Sequence, residues 1–336
     1  MDATNHKKIG SIIINRYRVT EHLGSGAMAD VYRAYDAARG CDVALKVLNE
    51  ECQKSPQLHE RFLNEFAILS KLKHPGIVSA FDLHEDEAEA PFFSMQLLAG
   101  ATLSARRAKT VHALSLDQSI TALQLIANAL EYIHSNKVVY CDLKPDNVMI
   151  SSANEVVTIT LFDFGISWQC PQQETREGSQ ANLLGTSFYM CPEAIRGEAP
   201  HPLWDIYSFG ALAFELLTGQ VPFSQKELFS ITASHLLAKV PDISHYNQDL
   251  PQSFNRFIRV CLAKDPHERY QSMSEVCDRL EKLRHESSTS SILRRLLHFW
   301  HAHRHNSSIV TAPARAQKQT SAQHSDDRPQ SAEENG

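Results

Sequence analysis

The chain has 336 residues and a formal net charge of −6; 43% of its residues are hydrophobic and 21% are charged. This composition is ordinary for a globular protein and the length allows two packed lobes. The negative charge argues against general binding to nucleic acid, and no apolar run reaches the roughly 18 residues that a membrane-spanning helix needs.

The seven cysteines are scattered and include no C-x-x-C pair. An odd number without paired spacing argues against a disulfide framework or a zinc site. The amino-terminal stretch lacks the apolar segment of a signal peptide. We therefore expect a cytoplasmic protein, because a reducing compartment suits free thiols.

Strand patterns dominate the first part of the chain. Residues 1–15 are expected to form a polar leader, and residues 16–98 to form a β-rich region with one helix. Apolar residues at intervals of three and four predict this helix over residues 57–73. Alternation and turn signals predict the strands. They are expected at residues 17–23, 30–35 and 43–48.

Helical patterns follow over residues 99–284. Ser115 and Gln118 have the spacing of a capping box, so a helix is predicted from there to about Ser135. Ser272 and Glu275 have the same spacing. Shorter closing helices are predicted at residues 254–262 and 275–283.

One helix is expected to be buried on nearly all sides. The segment from Asp205 to Thr218 is apolar around its whole circumference, and Gly219 follows it. A glycine just beyond the last periodic residue is a common helix terminator. This pattern indicates a central helix of the second region.

Residues 285–336 are expected to form a tail. Residues 287–291 are all Ser or Thr and suit a linker, whereas residues 306–336 are polar and are expected to be disordered. Between them, residues 292–305 could form a helix with one apolar and one basic face. Such a helix could bind a partner, fold back, or lie on an anionic membrane surface; we favour docking or partner binding over peripheral membrane contact.

Two segments carry residues suited to phosphoryl transfer. The sequence VYCDLKPDN contains Asp142, Lys144 and Asn147, and DFG follows with Asp163. Phosphoryl transfer needs a group that orients the attacking hydroxyl and oxygen ligands for a metal. A single turn aspartate is more often only a cap, but this set supplies both functions. The glycine-containing sequence LGSGAMADV lies between two predicted strands, although by itself it could be a plain hairpin.

Together these motifs resemble the catalytic, metal-binding and glycine-rich loops of eukaryotic-like serine/threonine protein kinases, particularly bacterial members. The resemblance covers about residues 16–284. It implies an α+β, bilobal fold with lobes at 16–98 and 99–284, and transfer of the γ-phosphoryl group of ATP to protein Ser or Thr hydroxyls, with autophosphorylation compatible. The alternatives are a pseudokinase scaffold that binds nucleotide without efficient transfer, and a small-molecule kinase.

The resemblance also implies catalytic roles. Asp142 would orient the substrate hydroxyl, and Lys144 would neutralise charge on the transferred group. Thr186, in the sequence GTSFYMCPE, would hydrogen-bond to both. Lys46, in the sequence VALK, would bind the α- and β-phosphates.

A counter-charge and metal ligands complete the implied site. Glu65 is the expected partner of Lys46, with Glu60 as the competing candidate. Asn147 and Asp163 would ligate Mg²⁺, for which Mn²⁺ is an alternative.

The nucleotide pocket is implied by the same resemblance. Residues 92–98 would form the last strand and hinge, with Met95 as gatekeeper. The Gln96 carbonyl and the Leu98 N–H would bond the adenine edge. The remaining expected contacts are Val31, Ala44 and Met149 around the ring, and Leu23, Gly24, Ser25, Gly26 and Ala27 in the glycine-rich loop.

Further matches concern the protein-substrate side. Glu193 would form a buried ion pair with Arg269, and Asp205 would tie the catalytic loop to the central helix. Kinases of small molecules generally lack these elements, so they favour a protein substrate.

The motif before Asp142 departs from the family pattern. Tyr140 and Cys141 replace the usual His-Arg, and Tyr140 would stack under Phe164. The missing arginine normally pairs with a phosphate on the activation loop. We therefore expect activity not to depend on loop phosphorylation through this contact, although Ser167, Thr175 and Ser179 remain candidate sites.

Overall fold

A computed structural model describes residues 8–86, 90–109, 114–153, 156–169, 187–248 and 250–286. They belong to one structural unit, Met1–Ser288. Several expectations lie outside the described residues. These are the role of Thr186, the candidate sites Thr175 and Ser179, and the tail segments 292–305 and 306–336.

A six-stranded antiparallel sheet, in the order β1-β2-β3-β4-β6-β5, builds the first lobe. Its central strands are buried on both faces, because Phe93 packs against Phe62 of a helix on one face while Phe92 packs against Tyr17 on the other. The three predicted strands are confirmed. The strands are β1 (Ile12–Ile13), β2 (Tyr17–Ser25), β3 (Ala29–Asp36), β4 (Cys41–Leu48), β5 (Ala80–His84) and β6 (Phe92–Gln96).

Part of the expected polar leader belongs to this sheet. Ile12 and Ile13 of β1 pair with Arg18 and Tyr17 of β2. The side chain of Ile13 is buried in the small core on this face of the sheet. Burial of the Ile13 side chain and pairing with β2 explain why this part of the expected leader joins the sheet.

Two helices follow β4. Helix α1 (Glu50–Gln53) was not predicted, because four residues are too few to show a helical period. Helix α2 (Pro56–Lys71) matches the predicted helix. It begins at Ser55, whose side chain accepts a hydrogen bond from the Leu58 N–H, so Ser55 is its N-cap.

Helix α4 (Leu116–Ser135) confirms the predicted helix and its capping box. The Ser115 side chain accepts from the Gln118 N–H, and the Gln118 side chain accepts from the Ser115 N–H. The second predicted box is only half formed. Ser272 accepts from the Glu275 N–H, but the Glu275 carboxylate accepts from Gln271 instead.

The predicted central helix is α6 (Pro202–Thr218), and nearly all its side chains are buried. It begins three residues before Asp205, since His201 caps it and Pro202 suits the first turn. It ends at Gly219, whose φ of 76° is the left-handed conformation that glycine adopts readily. A β-carbon on Gly210 would lie 2.6 Å from the Cys261 Cβ, so the close packing of the next helix requires glycine there.

Short strands place the loops of the site. Strands β7 (Ala101–Thr102), β9 (Val148–Ala153) and β10 (Val156–Leu161) form one antiparallel sheet, and β8 (Val138–Val139) pairs with β11 (Trp168–Gln169). The catalytic-loop motif therefore lies between β8 and β9, and the DFG motif between β10 and β11. The other helices are α3 (Leu103–Lys109), α5 (Pro192–Ile195), α7 (Leu228–Leu237), α8 (Gln252–Cys261) and α9 (273–286).

Two negative observations apply to the described part of the chain. None of its helices is long and apolar enough to cross a membrane. Its cysteines are all free thiols, namely Cys41, Cys52, Cys141, Cys191, Cys261 and Cys277.

Candidate active site

The central helix holds the catalytic-loop motif through its backbone. The fully buried carboxylate of Asp205 accepts hydrogen bonds of 2.8 Å from both the Tyr140 N–H and the Cys141 N–H. His134 Nε2 lies 2.8 Å from the same carboxylate. The predicted link between Asp205 and the loop is therefore confirmed.

The residues that replace His-Arg adopt a special geometry. Cys141 has φ of 66°, a conformation that non-glycine residues seldom adopt. Tyr140 is fully buried and its hydroxyl donates to the Phe162 carbonyl. Its ring meets Phe164 edge-on, with the centroids 4.9 Å apart and the planes at 68°. The expected core contact between Tyr140 and Phe164 is therefore present, but the two rings meet edge to face rather than stacked.

Asp142 is held by two neighbours on its own loop. The Lys144 ammonium lies 3.0 and 2.8 Å from its two carboxylate oxygens. The Asn147 amide N–H groups donate to the Asp142 carbonyl and carboxylate, at 3.0 and 2.8 Å. Burial raises the pKa of the Asp142 carboxyl, while the Lys144 ammonium opposes this effect. The carboxylate is thus fixed in direction and more basic than one in water.

The predicted ion pair between Lys46 and Glu65 is present. The Lys46 ammonium lies 2.6 and 2.8 Å from the Glu65 oxygens and 3.0 Å from Asp163 Oδ1. The competing candidate, Glu60, is exposed. Burial favours a lower pKa for Lys46, but the charges of Asp163 and Glu65 outweigh it and raise this pKa. The Lys46 charge lowers the pKa of Asp163.

One cavity of about 1130 Å³ joins these groups to the expected nucleotide pocket. Lys46, Glu65, Asp142, Lys144 and Asp163 all line it. So do all the expected nucleotide contacts: Leu23, Gly24, Ser25, Gly26, Ala27, Val31, Ala44, Met95, Gln96, Leu98 and Met149.

Helix α7 contributes residues that the sequence did not indicate. Leu228, Phe229 and Thr232 line the same cavity, and Phe229 is 82% exposed. No motif marks these residues, and only the fold brings them near Asp142. The cavity thus extends from the glycine-rich loop to a surface that could contact a large substrate.

The predicted buried ion pair between Glu193 and Arg269 is present, next to residues that line this cavity. The Arg269 guanidinium donates to both Glu193 oxygens, at 2.6 and 3.0 Å. Both side chains are almost fully buried.

The candidate phosphorylation site Ser167 is buried, and its hydroxyl donates to the Tyr140 carbonyl at 3.0 Å. This structure therefore argues against Ser167 as an accessible phosphorylation site.

A buried histidine attaches α7 to the central helix. His235 is fully buried, with its Nδ1 2.9 Å from the Tyr207 hydroxyl, and the Lys264 ammonium donates to the His235 carbonyl at 2.7 Å. Burial, reinforced by the charge of Lys264, lowers the pKa of His235 to about 3. The histidine is therefore neutral in the folded protein near neutral pH.

This burial predicts a loss of stability in acid. The unfolded chain takes up a proton at His235 below about pH 6.5, whereas the folded protein resists protonation until about pH 3. The stability contribution is complete above pH 6.5 and falls as the pH drops through this window, by at most about 1.4 kcal/mol per pH unit. His235→Gln should flatten the dependence of the free energy of unfolding on pH, measured with urea between pH 6.5 and 4.5. The same change at exposed His267 is the control, and equal slopes in all three proteins would contradict the prediction.

Comparison with known families agrees with this geometry. Residues 17–280 match the family model of the protein kinase domain. This chain belongs to the protein kinase family. The implied α+β bilobal fold is confirmed, and family membership implies the use of ATP and a divalent metal.

Several curated bacterial kinases are similar to the chain. Serine/threonine-protein kinase PrkC of Bacillus subtilis is 33% identical over 269 residues, which cover 80% of this chain and 40% of PrkC. Serine/threonine-protein kinase PknB of Mycobacterium tuberculosis is 32% identical over 272 residues, covering 79% and 42%. A probable serine/threonine-protein kinase, PknB of Lactococcus lactis, is 33% identical over 270 residues, covering 80% and 42%. The chain therefore spans about two-fifths of the length of these relatives.

Proposed function

We propose that this protein kinase transfers the γ-phosphoryl group of ATP to serine and threonine hydroxyls of proteins. The observation that carries the proposal is the convergence of Lys46, Asp142 and Asp163 on one cavity. The similar bacterial kinases are named serine/threonine-protein kinases, which supports the same specificity.

Asp142 is the proposed group that orients the attacking hydroxyl. Its carboxylate is fixed by Lys144 and Asn147 and lies at the cavity surface. Burial favours its uptake of a proton from a hydroxyl. Lys144 carries the positive charge that would neutralise charge on the phosphoryl group as it transfers.

The nucleotide and metal would be held by groups already in position. Lys46, fixed by Glu65, would bind phosphates, and the hinge at Met95–Leu98 would bind adenine. Asn147 uses its amide N–H groups on Asp142, so its amide oxygen remains as the acceptor atom that would join the Asp163 carboxylate in holding a metal. These oxygen donors suit Mg²⁺, which would neutralise phosphate charge when bound.

The protein-substrate elements favour a protein acceptor over a small molecule. The Glu193–Arg269 pair and the Asp205 bonds to the catalytic loop are both present. With Lys46, Glu65, Asp142, Asn147 and Asp163 also present, no residue substitution favours the pseudokinase alternative.

The proposal includes a kinase domain at residues 16–284 in a reducing, cytoplasmic compartment. The family match at 17–280 and the free thiols of the described residues support these two points. Autophosphorylation and a partner or membrane contact through residues 292–305 are further elements of the proposal, and the experiment below measures the first.

Transfer of label from [γ-³²P]ATP tests the function. The purified chain should label itself or an added protein in Mg²⁺, and acid hydrolysis should release phosphoserine or phosphothreonine. Phosphotyrosine alone would refute the specificity. Nucleotide binding without transfer to any added protein or small alcohol would favour the scaffold alternative.

A further inference from the structure

Helix α1 and the residue before it contact the glycine-rich loop. The Asn49 Nδ2 lies 3.4 Å from the Gly26 carbonyl oxygen, and the Cys52 Sγ lies 3.6 Å from the Ala27 carbonyl oxygen. The Asn49 backbone N–H donates to the Met28 carbonyl, at 3.0 Å. Three consecutive loop carbonyls therefore accept hydrogen bonds from this one short segment.

These contacts determine where the loop N–H groups point. In a trans peptide the C=O of one residue and the N–H of the next point in opposite directions. Carbonyls of Gly26 and Ala27 directed at α1 thus direct the N–H groups of Ala27 and Met28 away from it. Both residues line the large cavity, and neither N–H donates to another of the described residues. Adjacent free N–H groups of this kind form an anion-binding concavity.

Asn49 departs from the usual behaviour of a helix N-cap. An asparagine at this position normally accepts a hydrogen bond from the first turn of its helix, but Asn49 makes no such bond and its buried Oδ1 has no partner among the described residues. Turning the amide over would place Oδ1 against the Gly26 oxygen. The Asn49 amide therefore hydrogen-bonds to the glycine-rich loop and does not cap helix α1.

We propose that Asn49 and Cys52 are positioning residues for nucleotide binding. They hold the backbone of residues 26–28 so that two N–H groups face the phosphates. The inference rests on the proposed function, because it assumes that the cavity binds ATP. It assigns Cys52 a role as a hydrogen-bond donor, and its buried position and raised pKa, caused by burial, keep the thiol protonated for this role.

Calorimetric titration of the double variant Asn49→Ala, Cys52→Ala with ADP and with adenosine tests the proposal. Loss of two modest hydrogen bonds should weaken ADP binding about three- to tenfold. Adenosine binding should stay within about twofold, since the hinge would hold the ring, whereas Asn49 and Cys52 act on the loop at the phosphate end. Cys52→Ser keeps a donor and should remain closer to the original affinity than Cys52→Ala.

Gln53→Ala is the matched control. Gln53 lies on the same helix, but its amide donates to the Leu48 carbonyl rather than to the loop, at 3.0 Å. This variant should bind ADP normally.

The possible outcomes distinguish failure of the positioning role of Asn49 and Cys52 from failure of the proposed kinase function. Unchanged ADP affinity in the double variant overturns the inference, while transfer by the unmodified chain still supports the kinase. Equal weakening for ADP and adenosine also overturns it, because the side chains would then only maintain the general structure. An unmodified chain that binds neither ligand overturns both proposals.

Discussion

Replacing Asp142 by asparagine should lower kcat for phosphoryl transfer about 10²- to 10⁴-fold. Asparagine has nearly the same shape but cannot take up the hydroxyl proton, and it removes the charge paired with Lys144 at 2.8 Å. The Kd for ADP should change little, because Lys46 and the hinge remain. Steady-state kinetics with a protein substrate, combined with titration of ADP, would measure both quantities.

Asp146→Asn provides a matched control on the same loop. Asp146 is exposed and accepts a hydrogen bond from Ser104, at 2.8 Å. Its substitution should leave kcat within a few-fold of the original value, since this residue does not line the cavity. Retained activity in Asp142→Asn, or an equal loss in both variants, would remove Asp142 from the proposed role.

Replacing Arg269 by methionine should lower the free energy of unfolding by about 3–5 kcal/mol. The change leaves the Glu193 carboxylate buried without its partner, and it also removes donors from the Leu203 and Ala263 carbonyls. Denaturation with urea would measure the loss. Arg259→Met, at an exposed position on α8, should have little effect.

A second substitution separates the two causes of this destabilisation. Glu193→Gln removes the unpaired charge, so the double variant Glu193→Gln, Arg269→Met should be more stable than Arg269→Met alone. The recovery should be incomplete, because the backbone carbonyls of Leu203, Ala263 and Lys264 still lack their donor. If the double variant is less stable than Arg269→Met alone, the unpaired Glu193 charge is not a cause of the destabilisation.

The sequence predicts long periodic elements better than short ones. Helix α4 was predicted because its apolar residues repeat over 20 residues and Ser115 marks its start. Helix α1 and strand β1 were missed because four and two residues are too few to show a helical or strand period. Yet α1 carries the contacts to the glycine-rich loop, so a short element can matter for the site.

The polar constellation could be predicted only through family resemblance. Nothing local joins Lys46 to Asp163, which is 117 residues away, and their 3.0 Å contact depends on the packing of both lobes. The fold likewise brings Phe229 of α7 to the cavity. The sequence could not predict ring orientations either. The Tyr140 hydroxyl bonds to the Phe162 carbonyl, and the Tyr140 ring lies edge-on to Phe164.

The contacts of Asp205 have a consequence for mutational tolerance. Its carboxylate binds the backbone N–H groups of residues 140 and 141, and these groups are the same whichever side chains are attached. Placement of Asp142 is therefore largely independent of the side-chain chemistry at position 141. The restriction visible there is conformational, because the positive φ of Cys141 disfavours β-branched residues. The hydrogen bonds that hold this loop to the central helix therefore do not require the arginine that is usual at position 141.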